Sequence, residues 1–184
     1  MSLLNRKSVI VLATFIAQAM ITVQASAAEV NNESRFNYDA INNEQKAGQL
    51  GAGLEVGALS GATFEYWTAS QDTVNVNITS VQGNLGLGAT HNWMFRDAFR
   101  GTGRYGSYFV PYVGAGALAA FGTQNDYFTN NTQNFALAAT VPLGVEFLPL
   151  AQRFGVFLEL APTIEVVPAV AGVILSDLGA RFYF

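Results

Sequence analysis

The last eight residues decide the fold: Asp177-Leu178-Gly179-Ala180-Arg181-Phe182-Tyr183-Phe184. Leu178, Ala180, Phe182 and Phe184 form one apolar series. The residues between them, Asp177, Gly179, Arg181 and Tyr183, are charged, small or carry a hydroxyl. Successive side chains of a strand point to opposite faces, so this period of two predicts a strand with one apolar and one polar face.

The same alternation recurs upstream. Within Phe154 to Val167, the apolar residues Val156, Leu158, Leu160, Ile164 and Val166 oppose Phe157, Glu159, Ala161, Thr163 and Glu165. Within Phe135 to Leu148, Phe135, Leu137, Ala139, Val141, Leu143, Val145 and Phe147 oppose Ala136, Ala138, Thr140, Gly144 and Glu146. Val74, Val76 and Ile78 alternate with Asn75, Asn77 and Thr79. The reading yields eight strands: Leu50 to Leu59, Ala62 to Ala69, Thr73 to Val81, Leu85 to Phe95, Phe109 to Phe121, Phe135 to Leu148, Phe154 to Val167, and Ser176 to Phe184. Ser60-Gly61 and Gln82-Gly83-Asn84 read as tight turns, and Arg96 to Ser107 and Thr123 to Asn134 as longer connections. Pro142 and Pro162 donate no ladder hydrogen bond, so bulges or positions near strand ends are expected there.

The other end of the chain carries an export pattern. Asn5-Arg6-Lys7 precedes the apolar run Ser8 to Val23, and Gln24-Ala25-Ser26-Ala27-Ala28 follows it. A basic start, an apolar core and small residues at a cleavage site describe a secretory signal over residues 1–27. The apolar core is shorter than the ~20 residues a spanning helix needs. Residues 28–47, rich in Asn and Glu, read as a polar lead-in to the 48–184 domain.

Composition excludes several functions. The formal charge of −4 argues against a nucleic-acid partner, which calls for a basic face. With no cysteine and a single histidine, the chain has no thiol chemistry and no His-rich metal site. No apolar run after Gly48 is long enough for a transmembrane helix. Half of the residues are nevertheless hydrophobic (51%). An exported, apolar, all-β chain is either a soluble β-protein or a transmembrane barrel, the one sheet structure that leaves no backbone group unpaired in lipid. Aromatic residues tip the balance. Phe135 and Phe147, Trp93 and Phe95, and Phe182 and Phe184 cap the ends of the apolar faces, as interface girdles do. The expectation is an all-β, eight-stranded, antiparallel up-and-down transmembrane β-barrel.

The terminal octapeptide resembles the C-terminal β-signal of bacterial outer-membrane barrels. Asp177 is its polar residue, Gly179 its glycine, and Phe182 and Phe184 its aromatics. The architecture is similar to the eight-stranded OmpA/OmpX type. Gly61 to Trp67, Pro111 to Gly116, Pro142 to Glu146, Phe157-Leu158-Glu159 and Gly179 to Phe184 also resemble a family of small outer-membrane barrels. The resemblance implies an outer-membrane location, with outer-membrane lipid and the barrel-assembly machinery as partners. It brings no catalytic residue and no cofactor. Some deacylases and lipases on small barrels use a local His-x-Ser pair. Here Trp93 holds the serine's place after His91, which period two puts on the outer face with Leu87 and Trp93.

Glu55, Glu65, Glu146, Glu159 and Arg181 fall on the inner faces, with Glu165 nearby, so a charged belt is expected in the lumen. Hairpin registers centred on the turns bring Glu55 near Glu65, Glu146 near Glu159, and Arg181 near Glu159. Closure of the last strand on the first then brings Arg181 to Glu55, as a hub between Glu55 and Glu159. The glycines of Gly51-Ala52-Gly53 and Gly86-Leu87-Gly88 lack the helix and lysine of a phosphate loop. They are expected to permit close strand packing or to make room for large lumen neighbours. With a periplasmic N-terminus, the polar loop 123–134 faces outward as the place for any extracellular ligand, and the connection with Arg96, Arg100 and Arg104 faces the periplasm. The functional expectation is a non-enzymatic barrel that supports envelope integrity or presents loops; the alternatives are a lipid-modifying enzyme and a narrow channel.

Overall fold

The computed structural model describes residues 47–81, 84–99, 102, 106–122, 135–148, 153–168 and 170–184. The export signal, nearly all of the polar lead-in and the 123–134 loop lie outside the described residues. The strands are β1 (Leu50–Gly57), β2 (Ser60–Trp67), β3 (Asp72–Val81), β4 (Asn84–Met94), β5 (Phe109–Phe121), β6 (Phe135–Thr140), β7 (Leu143–Phe147), β8 (Phe154–Val167) and β9 (Ala171–Tyr183), with one 3-10 turn at Gly106–Tyr108.

All pairings are antiparallel, and β9 returns to pair with β1 from Gly51↔Tyr183 to Gly57↔Asp177. The β6 and β7 segments both lie between β5 and β8, so together they make one strand of an eight-membered ring. Stepping from partner to partner fixes the barrel's geometry. Phe109 leads through Phe147, Val156, Ala180 and Leu54, then through Ala62, Ile78 and Leu87. The path returns to β5 at Ala119, ten residues beyond its start. With eight strands that stagger gives a tilt of about 40°, and an interior just wide enough for side chains.

Three departures from the sequence reading have physical causes. The first turn lies at Ala58-Leu59 rather than Ser60-Gly61. Gly57 takes φ +145°, where a Cβ is strained, and Asp177 Oδ1 accepts the Leu59 N–H at 2.7 Å from across the seam. The expected sixth strand is cut at Val141-Pro142. Val141 N–H donates to Pro162 O, and Pro142 O accepts from Gly114 N–H. The two prolines thus sit side by side, which gathers their missing donors at a single gap in the ladder. Finally, β9 starts at Ala171 rather than Ser176, because Ala171 to Leu175 continue the pairing with β8.

The faces are as the alternation predicts. Leu54, Val56, Phe64, Val76, Ile78, Leu87, Leu158, Leu160, Leu178 and Phe182 are all exposed on the outside. Glu55, Thr63, Glu65, Asn75, Glu146, Thr163, Asp177 and Arg181 are buried inside. This is the reverse of a water-soluble fold, where charges face solvent and large apolar residues fill the core.

Candidate functional site: the charged lumen

The lumen is layered. At the end of the barrel that holds Phe184 and the start of β1, Trp67, Met94, Val110, Tyr112, Leu148 and Tyr183 form an apolar cluster. Arg96 lies over the Trp67 ring, 5.5 Å from its centroid. At the other end Leu59, Val81, Leu118, Ala161 and Leu175 form a second cluster. The charged belt lies between them.

Each belt carboxylate has a defined partner. Arg181, 2% exposed, stands at the centre. Its Nε and Nη2 donate to Thr63 Oγ1 at 3.2 and 3.0 Å, and its Nη1 lies 3.6 Å from Glu65 Oε1. The guanidinium also stacks on Phe157, 3.9 Å from the ring centroid. The Tyr183 hydroxyl lies 2.5 Å from Glu65 Oε2 and contacts Glu146 Oε1 as well. Tyr112 donates its hydroxyl to Glu159 Oε2 at 2.7 Å, and Asn77 Nδ2 donates to Glu55 Oε1 at 3.1 Å.

These residues lie together in the lumen, with a pairing that differs from the expected one. Among the described residues the close ion pair of Arg181 is with Glu65, and the two expected glutamate pairs do not oppose each other. The turn at Ala58-Leu59 sets Glu55 opposite Gly61, and Glu65 opposite Gly51. Likewise Arg181 opposes Gly53 and Gly155, and Glu159 opposes Gly144. Large inward side chains therefore face glycines on the neighbouring strands, which leaves room for them in a narrow barrel. A Cβ at Gly179 would meet the Phe157 ring, one at Gly51 the Tyr183 ring, and one at Gly155 the Glu146 carboxyl. Gly86 and Gly88 make room for Thr79, Val81 and Asn77 in the same way, while Gly53 packs against the Ala180 backbone. Both expected uses of glycine occur.

Sequence reasoning missed the tyrosines. Tyr183 shares the inner face with Arg181, which is the signal that would have found it. Tyr112 sits in a strand rich in glycine and alanine, where the alternation is faint.

The terminal octapeptide divides its roles between two faces. Phe182 and Phe184 lie outside with ring centroids 5.6 Å apart. Asp177 holds the first turn, and Gly179 accommodates Phe157. His91 is outside as expected, with its Nε2 3.3 Å from Asp72 Oδ1 and its ring edge-on to Trp93 at 5.0 Å.

The backbone path is similar to that of a solved structure. The N-terminal β-barrel domain of Pseudomonas aeruginosa OprF superposes with a TM-score of 0.54, over 74% of this chain and 96% of that one, at 18% sequence identity. The fold is an eight-stranded, antiparallel, up-and-down β-barrel. No protein-family model and no curated protein sequence matches the chain. At this identity the likeness concerns the path of the backbone.

Proposed function

We propose that this protein is an outer-membrane barrel that acts as a non-enzymatic structural element, supporting envelope integrity or presenting its longer loops to partners. One observation carries the membrane reading: large apolar residues on most of the strands face outward, among them Leu54, Phe64, Val76, Leu87, Leu158 and Leu178, around a lumen that holds the charges. A continuous exposed apolar surface of this kind is stable only against lipid or another protein. Aromatic residues mark both ends of it. Tyr66, Trp93, Phe109, Phe154 and Phe182 lie outside near the termini, and Phe121 and Phe135 pair outside at the other end with centroids 5.3 Å apart. With β6 and β7 taken as one, the ring strands run 8 to 14 residues, and tilted by about 40° they suit a band about 25 Å tall.

The layered lumen supports a scaffold over a channel. A conducting path would have to cross both apolar clusters and pass the Arg181 side chain stacked on Phe157. The polar groups of the belt are largely engaged with one another, as in a core that fastens strands. Arg181 and Tyr183 on β9 reach Thr63 and Glu65 on β2, and Tyr183 also reaches Glu146 on β7. The belt thus clasps the β9–β1 seam from both sides.

A deletion strain tests the role. The scaffold reading predicts greater sensitivity to detergent and large antibiotics, with the acylation pattern of the outer-membrane lipids unchanged. An altered acylation pattern, restored by the wild-type gene, would replace this reading with the lipid-modifying one.

A further inference from the structure

The last hairpin differs from every other connection at its end of the barrel. Between Glu165 and Ser176 there is no polar side chain: the run is Val166-Val167-Pro168-Ala169-Val170-Ala171-Gly172-Val173-Ile174-Leu175. The companion connections at that end carry Ser60, Gln82 and Asn84, and the polar run Thr123 to Asn134. A loop in water is normally polar, built from turn residues with hydrogen-bonding side chains. Here Val170 is 79% exposed, the most open large apolar residue among those described, and Val166 and Ile174 are exposed beside it.

Two further observations set the level of this tip. Along the outer face the apolar surface runs without a break from Leu158 and Leu160 through Ile164 to Val166, so the hairpin continues the belt. Across the neighbouring strand, Val167 opposes Leu137, and Phe135, two residues beyond Leu137, pairs with Phe121. The tip therefore stands level with the aromatic pair that marks the edge of the apolar band. Among the described residues, one edge of the hairpin also has no strand beside it. The last bond of β1 to β9 is Ala58 N–H to Ser176 O, and no described strand flanks Ala171 to Leu175 on that side. Bare backbone groups are costly in the hydrocarbon core, but water reaches them among lipid headgroups.

We infer that the Val166–Leu175 hairpin is a lipid anchor, its valines and isoleucine seated in the interfacial layer of the bilayer rather than presented to water as a surface loop. The inference rests on the membrane reading above and adds a fixed depth for this side of the barrel. It implies that the protein is held on this side by one submerged hairpin.

The absence of cysteine makes the test direct. A nitroxide label is placed at Val170→Cys, or at Leu158→Cys in mid-belt, in the full-length mature protein folded into phosphatidylcholine vesicles. Collision with oxygen, which partitions into lipid, is compared with collision with a water-soluble nickel chelate. At Val170 the label should favour oxygen, at a shallower depth than at Leu158. Preference for the chelate at Val170, with oxygen still favoured at Leu158, would overturn the anchor and leave the barrel in the membrane. Preference for the chelate at both sites would overturn the membrane reading itself. Dipolar broadening at Val170 that vanishes on dilution with unlabelled protein would give the open edge to a second copy of the chain, and would equally overturn the anchor.

Discussion

Arg181 on β9 lies 3.6 Å from Glu65 on β2, although β1 stands between the two strands. The pair therefore spans the lumen across the strand that closes the ring. Both side chains are 1% exposed, so neither charge has water to fall back on. Removing one partner of such a pair costs more than the pair contributes, because the other is left buried and uncompensated.

Arg181→Met should accordingly lower stability by about 3–5 kcal/mol where the lumen is dry. Thermal unfolding in detergent reads the loss. Glu65→Gln in the same protein should recover more of it than Glu159→Gln, since Glu65 is the guanidinium's partner and Glu159 belongs to Tyr112. Equal recovery from the two would mean that the belt acts as a diffuse charge and not as specific pairs.

Tyr183→Phe removes a hydroxyl that links Glu65 to Glu146, and so ties β9 to β2 and to β7. Two buried acceptors lose a partner, at roughly 1–3 kcal/mol for each group left unsatisfied. Tyr112→Phe takes a partner only from Glu159 and should cost less. The order of the two unfolding temperatures checks this.

Gly179→Ala places a methyl against the Phe157 ring, which is itself held beneath Arg181. Overpacking of this kind costs about 1–3 kcal/mol. Phe157→Leu in the same chain should restore part of the stability, although it removes the stacking face of Arg181. Gly172→Ala, where a Cβ meets nothing, is the control and should be neutral.

These effects also show how far the sequence could be read. The faces were legible because a period of two is a local property: Leu178 and Phe182 outside, and Arg181 inside, follow from spacing alone. Partners were not legible, because they depend on where each turn falls. Ser60-Gly61 has turn chemistry and drew the first register to itself. The actual turn lies two residues earlier, held by Asp177 from the far end of the chain. That shift moved Glu55 and Glu65 opposite glycines and gave Arg181 a different carboxylate. A residue 118 positions away cannot be seen in a local window.

Deleting Phe184 should affect assembly more than the folded barrel. Its ring is 69% exposed and touches Phe182 on the outer face, so little burial is lost. The expected outcome is less protein in the outer membrane and more in the periplasm, with an unchanged unfolding temperature for the fraction that assembles. Wild-type amounts in the outer membrane would contradict a recognition role for the terminal aromatic.

A closed barrel with an apolar outside facing lipid resists SDS until it is boiled, so electrophoresis of the outer-membrane fraction with and without boiling distinguishes it from an open or soluble fold. A closed barrel clasped by Arg181 and Tyr183 should remain folded in cold detergent and run ahead of the boiled chain. Identical mobility of the two samples, with the protein recovered in the soluble periplasm, would contradict it.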